Sequence, residues 1–447
     1  MKAHTSLLSE WYHIPLVEVG RLFCLYSLFV VYAHCYELFL AYQISTTFSY
    51  VRFDFLRLDD YRAVEILMPL AALPVGTRIR AASQYVAGAM IVFVFIPIPL
   101  VFIPAVSSPQ FWSVFPYLWI AAFVVAALST RSIAHNIRTL REEKFRPLLI
   151  VVASIFFVGL AYTALTNNLS FVDFSQIHDI RNNLQFGGGQ GYIIYGFTAA
   201  FGGMFAAFAI RYKKLYILPV ILTGFAVSYG VLVIKTAALT PLWIVYVAVA
   251  QRYFFRTSMI KYFVTLMMPF FLGSIFFIVS NADRESLLYA GFTIANYRLY
   301  TIPAEAFNVY YAFFETHPWT YWSHINIVSY FVSYPYEQPL SVLMEDAFQM
   351  GNYNASFVET DGLAAAGVQA IPFAALAFGM ALVAVNSCLR GLSPFFVAIV
   401  MASPAIVFID VGIGTGLLTN GVGMLALFLL FAPRESSDYS PAGVRRS

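Results

Sequence analysis

Long apolar segments separated by short polar ones make up most of the chain. A helix needs roughly 20 apolar residues to cross a hydrocarbon core of about 30 Å. Because a bilayer offers backbone groups no hydrogen-bond partners, we expect the segments to be helices. The pattern predicts an all-α polytopic membrane protein with about twelve transmembrane helices, at 22–43, 62–76, 83–105, 112–129, 147–165, 191–210, 215–234, 237–251, 262–280, 363–387, 393–411 and 415–432.

Two of these segments, 62–76 and 237–251, are shorter than a comfortable crossing. Such segments are tolerated when they pack inside protein or beside a water-filled cavity. Pro69 and Pro74 in the first segment and Pro241 in the second favour kinks or breaks. Each segment is therefore a candidate half-helix.

Composition supports a membrane location. Hydrophobic residues make up 60% of the 447 residues and charged residues 11%, whereas roughly a quarter of the residues in soluble domains are charged. The cysteines Cys24, Cys35 and Cys388 all lie in predicted helices and show no paired spacing. They indicate neither a disulfide framework nor a zinc site.

The basic residues predict an orientation. If the N-terminus is cytoplasmic, 19 of the 26 Lys and Arg residues lie in inner segments, most densely in "TRSIAHNIRTLREEKFR" at 130–146. The positive-inside rule supports this arrangement. We therefore expect one transmembrane domain over 1–447 with both termini in the cytoplasm, a cytoplasmic tail at 433–447 and a large periplasmic loop at 281–362.

This large loop carries most of the unusual chemistry. Loops much beyond about 15 residues usually have a function or contain structure of their own, and this one has 82 residues, of which 19 are aromatic. Its stretch "PAEAFNVYYAFFE" at 303–315 has aromatic residues at helical spacing, which predicts a helix on or against the outer membrane surface. The aromatic rings either anchor at the interface or stack on sugars. The candidates for sugar contact are Tyr310, Tyr311, Trp319, Trp322 and Asn354.

Nine carboxylates and two arginines, Arg284 and Arg298, give the loop a formal charge of −7. Isolated arginines in an acidic loop fit a site that holds an anion at one point and accepts a proton at another. A second outer segment supplies Arg181, which could instead form a surface ion pair with Asp173 or Asp179. Lys235 borders a predicted helix, where it either has a function or reaches toward the headgroups.

Two carboxylates, Glu359 and Asp361, stand at the predicted mouth of the tenth helix. Partial desolvation there would raise a carboxylate pKa toward values useful to a general base. Capping is the alternative, because Thr360 or Asp361 could cap this helix and an acid complements its dipole. His317 is a further catalytic candidate, and His324 another base candidate.

Several stretches carry a family resemblance. They are "YRLYTIPAEAFNVYYAFFETHP" at 297–318, "YPYE" at 334–337, "YNASFVETDGLAAAG" at 353–367 and "KTAALTPLWIV" at 235–245. In these stretches and in its helical plan the chain resembles Wzy-type oligosaccharide repeat-unit polymerases, the O-antigen polymerase group. The likeness covers about 50 residues as motif, and Glu359 and Asp361 depart from the more usual Ala-Asp order.

The resemblance implies a metal-independent, inverting glycosyltransferase with a GT-C-like helical fold and no cofactor. Its substrates would be polyprenyl-diphosphate-linked glycans at the periplasmic face of a bacterial inner membrane, joined for O-antigen or exopolysaccharide in lipopolysaccharide-type biosynthesis. The expected partners are these glycans, membrane lipids and a chain-length regulator protein, with no nucleic acid. The expected ligands of the diphosphate are Arg181, Arg298, Lys235 and Arg284.

Other functions remain open at this point. An O-antigen ligase shares the loop architecture and differs mainly in its acceptor. A metal-dependent GT-C transferase would use Asp54, Asp59 and Asp60, although Arg57 and Arg62 offer an ion-pair explanation for these acids. A transporter or flippase of lipid-linked glycans would carry ionisable residues inside its helices, and the main ones here are Glu37, Glu65 and Asp410.

Overall fold

The computed structural model describes residues 16–47, 51–133, 139–167, 189–232, 235–279, 296–325, 327–348 and 357–434. Within these ranges the regular structure is helical, and a single bridge joins Arg78 to Ser258. The all-α prediction is confirmed there. In chain order the helices are α1 (Leu16–Ile44), α2 (Leu58–Ala72), α3 (Gln84–Ala105), α4 (Ser108–Leu128), α5 (Glu142–Thr166), α6 (Gln190–Arg211), α7 (Leu218–Leu232), α8 (Lys235–Ala250), α9 (Met259–Val279), α10 (Ile302–Phe314), α11 (Leu340–Phe348), α12 (Val358–Ala366), α13 (Ile371–Leu389), α14 (Pro394–Val407) and α15 (Val422–Leu430).

Among the described residues, seven helical segments are long and apolar enough to cross a membrane: α1, α3, α4, α5, α6, the α8 segment Ala237–Phe255 and the α13 segment Val368–Leu389. Helices α7 and α14 and the α9 segment Met259–Ser274 are apolar but shorter. The protein is therefore a multi-pass helical membrane protein. Each of the twelve predicted segments overlaps a helix, and the count of twelve crossings stays a prediction.

The two candidate half-helices differ. Helix α2 has 15 residues with Pro69 inside it, so it remains short for a crossing. The second segment is longer than predicted, because α8 continues through a π-type turn to Phe255. Its length therefore no longer favours a half-helix at 237–251, and its crossing of the membrane stays a prediction.

Helix α3 forms the centre of the core, and its side chains are buried along its length. A π-type turn at Ile91–Phe95 pairs each N–H with the carbonyl five residues earlier. Continuing this ladder, Pro97 would pair with Val92, but proline has no N–H. The hydroxyl of Tyr32 on α1 donates to the Val92 carbonyl instead, at 2.8 Å.

Helix α10 confirms the predicted helix at 303–315, with Pro303 in its first turn. Its predicted position on the outer membrane surface is wrong. Phe307 and Tyr310 are 0% and 1% exposed, and the helix packs between α3 and α12. The aromatic spacing that predicted a surface helix therefore marks a core helix.

Candidate functional site

The predicted tenth helix is two helices. Gly367 has φ +74°, a conformation that favours glycine, and it separates α12 from α13. A β-carbon added at Gly362 would lie 2.6 Å from the Ile371 Cα, so the two helices make close backbone contact. The break places α12 inside the protein, where every side chain from Val358 to Ala365 is buried.

The two carboxylates therefore do not lie at an open helix mouth, as the sequence predicted. Glu359 is 0% exposed and Asp361 is 5% exposed. Capping does not explain Asp361, because the hydroxyl of Thr360 accepts from the Phe357 N–H at 2.7 Å and closes the first turn. Residues two apart on a helix point to different sides, so the two acids have separate surroundings.

Asp361 lies beside a histidine. Its Oδ1 is 3.5 Å from Nε2 of His324, and both side chains are about nine-tenths buried or more. On the other side of the imidazole ring, Nδ1 is 2.7 Å from Oγ1 of Thr320. Asp361, His324 and Thr320 therefore form a continuous array, which we call the acid–imidazole array.

The turn that carries His324 also completes the end of α12. The N–H groups of Thr320 and Tyr321 donate to the carbonyls of Ala364 and Ala365, at 2.8 and 2.9 Å. Carbonyls in the last turn of a helix lack partners within the helix. Pairing them with residues 320 and 321 fixes the histidine turn against the helix that bears Asp361.

The segment 408–414, which we call the α14 turn, holds the other oxygen of Asp361. The Ile413 N–H donates to Oδ2 at 2.7 Å. A β-carbon added at Gly412 would lie 2.5 Å from Oδ1 of Asp361, and one added at Gly414 would lie 3.0 Å from Ile325. Glycines in the α14 turn thus allow the close approach of both Asp361 and the histidine turn.

Glu359 has no such partners. Neither of its carboxylate oxygens has a hydrogen-bond partner among the described residues. Burial, helped by the charge of Asp361, raises the pKa of Glu359 to about 8. The side chain is therefore a neutral acid at pH 7.

Arg298 is an exposed cation in the π-type turn Tyr297–Thr301, directly before α10. Helix α10 packs on α12, the helix that carries Asp361. Arg298 therefore precedes a helix that is in contact with the helix of the acid–imidazole array.

The other predicted site residues differ in their exposure and in their contacts. His317 is exposed, and its ring stacks on Phe313 at 3.9 Å with Nδ1 2.9 Å from the Phe313 carbonyl. Its described contacts do not include Asp361. Tyr310 is in the core, where its burial and, second, the charge of Asp361 raise the pKa of its phenol, so the prediction that it stacks on a sugar is wrong.

Three predicted aromatic residues differ in exposure. Tyr311 is partly buried, and its hydroxyl accepts from Nε2 of Gln110 at 2.8 Å. Trp319 is 41% exposed, although one edge of its ring packs on Gly367. Trp322 is partly buried, and its ring lies 6.2 Å from that of His324. Trp319 and Trp322 thus stay available for sugar contact beside the array.

Arg181, Arg284 and Asn354 lie outside the described residues. Lys235 begins α8, and its side chain is outside the description. Their predicted roles stay predictions.

The first-loop acids favour the ion-pair explanation. Asp60 accepts from Arg57 at 2.7 Å, from the Trp112 indole at 2.8 Å and from Ser108 at 3.1 Å. Asp54 accepts from the Leu56 N–H and caps a short turn. Both carboxylates are thus occupied by protein donors.

Buried charges inside the helices are also paired. The ligand atoms of His34, Glu37 and Glu65 lie within 4.8 Å of one another, a spacing that could hold a metal ion. Nη1 of Arg62 lies among them, 2.9 Å from each carboxylate and 2.5 Å from His34. The guanidinium occupies the centre of the cluster, so we interpret it as an ion-pair network.

Comparisons of the chain with protein-family models, with curated proteins and with solved structures found no match. The sequence pointed to Glu359, Asp361 and His324 as separate candidates. It carried no signal for the α14 turn, since Gly412 and Ile413 are ordinary residues of an apolar segment.

Proposed function

We propose that the protein is a glycosyltransferase that polymerises polyprenyl-diphosphate-linked oligosaccharide repeat units at the periplasmic face of a bacterial inner membrane, for O-antigen or exopolysaccharide synthesis. One observation carries the proposal: Asp361 and His324 lie 3.5 Å apart in a multi-pass helical membrane protein, and the exposed cation Arg298 directly precedes helix α10, which packs on the helix of Asp361. Glycosyl transfer from a diphosphate needs an anion-stabilising group and a proton acceptor close together.

In the proposed reaction one bond to the anomeric carbon is exchanged for another. The bond from the anomeric carbon to the diphosphate oxygen breaks, and the leaving diphosphate takes the electron pair. A hydroxyl of the second lipid-linked glycan attacks the same carbon with inversion, and its proton passes to the acid–imidazole array. The transfer of these bonds and of the proton requires no metal ion or cofactor.

Arg298 suits the leaving group because a guanidinium matches phosphate oxygens in a planar, bidentate way. It is exposed, so a headgroup can reach it. We assign Arg181, Arg284 and Lys235 as further candidates for the same diphosphate. Trp319 and Trp322, close to the array, are the candidates for stacking on the glycan.

The test uses purified protein in lipid vesicles with a synthetic lipid-linked repeat unit and a metal chelator. We expect a ladder of lipid-linked products that grows by whole repeat units. Substrate movement without a new glycosidic bond would instead indicate a flippase, and a single transfer to a different acceptor would indicate a ligase. A ladder that disappears on chelation and returns with magnesium would favour the metal-dependent alternative.

A further inference from the structure

The hydrogen bonds of Thr320 bear on which nitrogen of His324 carries a proton. The Thr320 hydroxyl lies 3.0 Å from the Ala364 carbonyl and 2.7 Å from Nδ1 of His324. The Ala364 carbonyl also accepts from the Thr320 N–H, so the one hydroxyl proton can be donated either to Ala364 or to Nδ1. In the first arrangement the Thr320 oxygen accepts from His324, which places a proton on Nδ1 and leaves Nε2 as the basic nitrogen.

Nε2 of His324 is both buried and unpartnered. The side chain is 10% exposed, and Nε2 has no hydrogen-bond partner among the described residues. Leaving a buried polar atom unsatisfied is destabilising, so such an atom is expected where a function requires it. The ring is held by Thr320 on its other side, which leaves Nε2 with a fixed direction.

Asp361 is placed to stabilise the imidazole ring once the ring is charged, but it makes no ordinary hydrogen bond to Nε2 while the ring is neutral. Its Oδ1 is 3.5 Å from Nε2, which is longer than an ordinary hydrogen bond of 2.7–3.2 Å. Its Oδ2 is held by the Ile413 N–H. A nearby opposite charge favours the protonated ring once the ring accepts a proton.

We infer that Nε2 of His324 is the atom that accepts the proton of the attacking hydroxyl, with Thr320 and Asp361 as positioning residues. This inference rests on the proposed glycosyl transfer. As the hydroxyl oxygen bonds to the anomeric carbon, its O–H bond breaks toward Nε2 and the electron pair of the departing C–O bond leaves on the diphosphate. The imidazolium pairs with Asp361 and later releases its proton to water.

The assignment predicts a pH dependence of the rate. Protonated His324 cannot accept a proton, so the rate falls as the pH falls. Among the described residues, His324 faces Asp361 on α12, and Asp361 in turn interacts with Glu359 and Tyr310. This fall in rate at low pH is the acidic limb of the pH–rate profile. Replacing the histidine removes the acidic limb, whereas a merely structural role of His324 would leave the shape of the profile unchanged.

The first experiment measures elongation by the wild-type protein, by His324→Gln and by the control Tyr330→Phe, at a residue that is 86% exposed, across a pH series. We expect His324→Gln to lower the rate by roughly 10²–10⁴-fold and to lose the acidic limb. Tyr330→Phe should stay within about threefold of wild type at every pH. A His324→Gln variant that elongates at the wild-type rate overturns the inference while the polymerase assignment stands. A wild-type protein that makes no ladder overturns both.

The second experiment reads the ring directly and does not depend on activity. Full-length protein labelled with ¹⁵N-histidine in nanodiscs is studied by NMR, and the His324 signals are identified by their loss in His324→Gln. We expect the neutral ring to be protonated on Nδ1 and expect Thr320→Val to weaken that preference. A neutral ring protonated on Nε2 overturns the inference, whatever the elongation rate of His324→Gln.

Discussion

Gly412 lies so close to Asp361 that a β-carbon at position 412 would fall 2.5 Å from Oδ1 of the carboxylate. The same carboxylate accepts from the N–H of the next residue, Ile413, through its other oxygen. The position of Asp361 relative to His324 thus depends on position 412 being a glycine, in a segment distant in sequence.

Gly412→Ala should displace Asp361 and with it the acid–imidazole array. Overpacking of a buried site costs about 1–3 kcal/mol, so we expect a lower thermal midpoint and a rate of elongation reduced at least tenfold. The control is Gly20→Ala in α1, where an added β-carbon meets no atom within 4 Å. Elongation and thermal unfolding in detergent give the two readouts, and an unchanged Gly412→Ala protein would contradict the described packing.

Glu359 should make stability depend on pH. Its pKa is raised to about 8 from an ordinary value of 4.5, so between these values the native state holds a proton that the unfolded state has lost. The free energy of unfolding then falls as pH rises, by up to about 1.4 kcal/mol per pH unit, and levels off above pH 8. At pH values below 4.5 both the native and the unfolded state hold the proton. The contribution of Glu359 to the free energy of unfolding then has its full value and no longer changes with pH.

Glu359→Gln removes this titration, so its thermal midpoint should vary less between pH 5 and 8 than that of the wild type and lie above it at pH 8. The exposed Glu337 provides the control, because Glu337→Gln should leave the pH dependence as it is. Parallel pH curves for Glu359→Gln and the wild type would show that Glu359 is ionised in the native state.

Arg298→Ala should leave the fold intact and reduce polymerisation by at least about 10²-fold, because it removes stabilisation of the leaving diphosphate. Arg298→Lys should recover part of the rate, since lysine keeps the charge but loses the planar fork. Arg146→Ala, at a surface ion pair with Glu142, is the control. Product length on gels gives the readout, and a normal ladder from Arg298→Ala would count against a diphosphate role.

Arg62→Ala should destabilise the protein. It leaves Glu37 and Glu65, which are 2% and 4% exposed, without their cation. Because the Arg62 side chain is itself 47% exposed, we expect a loss smaller than the cost of breaking a fully buried pair, which is about 3–5 kcal/mol. Adding Glu37→Gln and Glu65→Gln to this variant should restore part of the loss. The control Arg146→Ala should cost less than about 1 kcal/mol. The measurement is the thermal midpoint of the wild type, of Arg62→Ala, of the triple variant and of Arg146→Ala.

The aromatic residues of α10 show where sequence reasoning reached its limit. Helical spacing of rings predicted the helix itself, because that periodicity is a local property of the chain. It could not predict the neighbours of the helix. Helix α10 packs between α3 and α12, so Tyr310 became a core residue while Trp319, only nine positions later, is 41% exposed.

Composition and apolar run length by themselves determined that this is an all-helical membrane protein, since lipid forces the backbone to satisfy its own hydrogen bonds. The charge pattern of the outer loop also singled out Glu359 and Asp361, as acids at a predicted helix mouth, and Arg298, as an isolated cation in an acidic loop. Only the tertiary structure decided that Asp361 meets His324 and that Glu359 meets no hydrogen-bond partner among the described residues. These contacts depend on the break at Gly367 and on the glycine at 412, which bring together segments about 40 to 90 residues apart. Such pairings follow from backbone approach in three dimensions, for which an apolar pattern carries no signal.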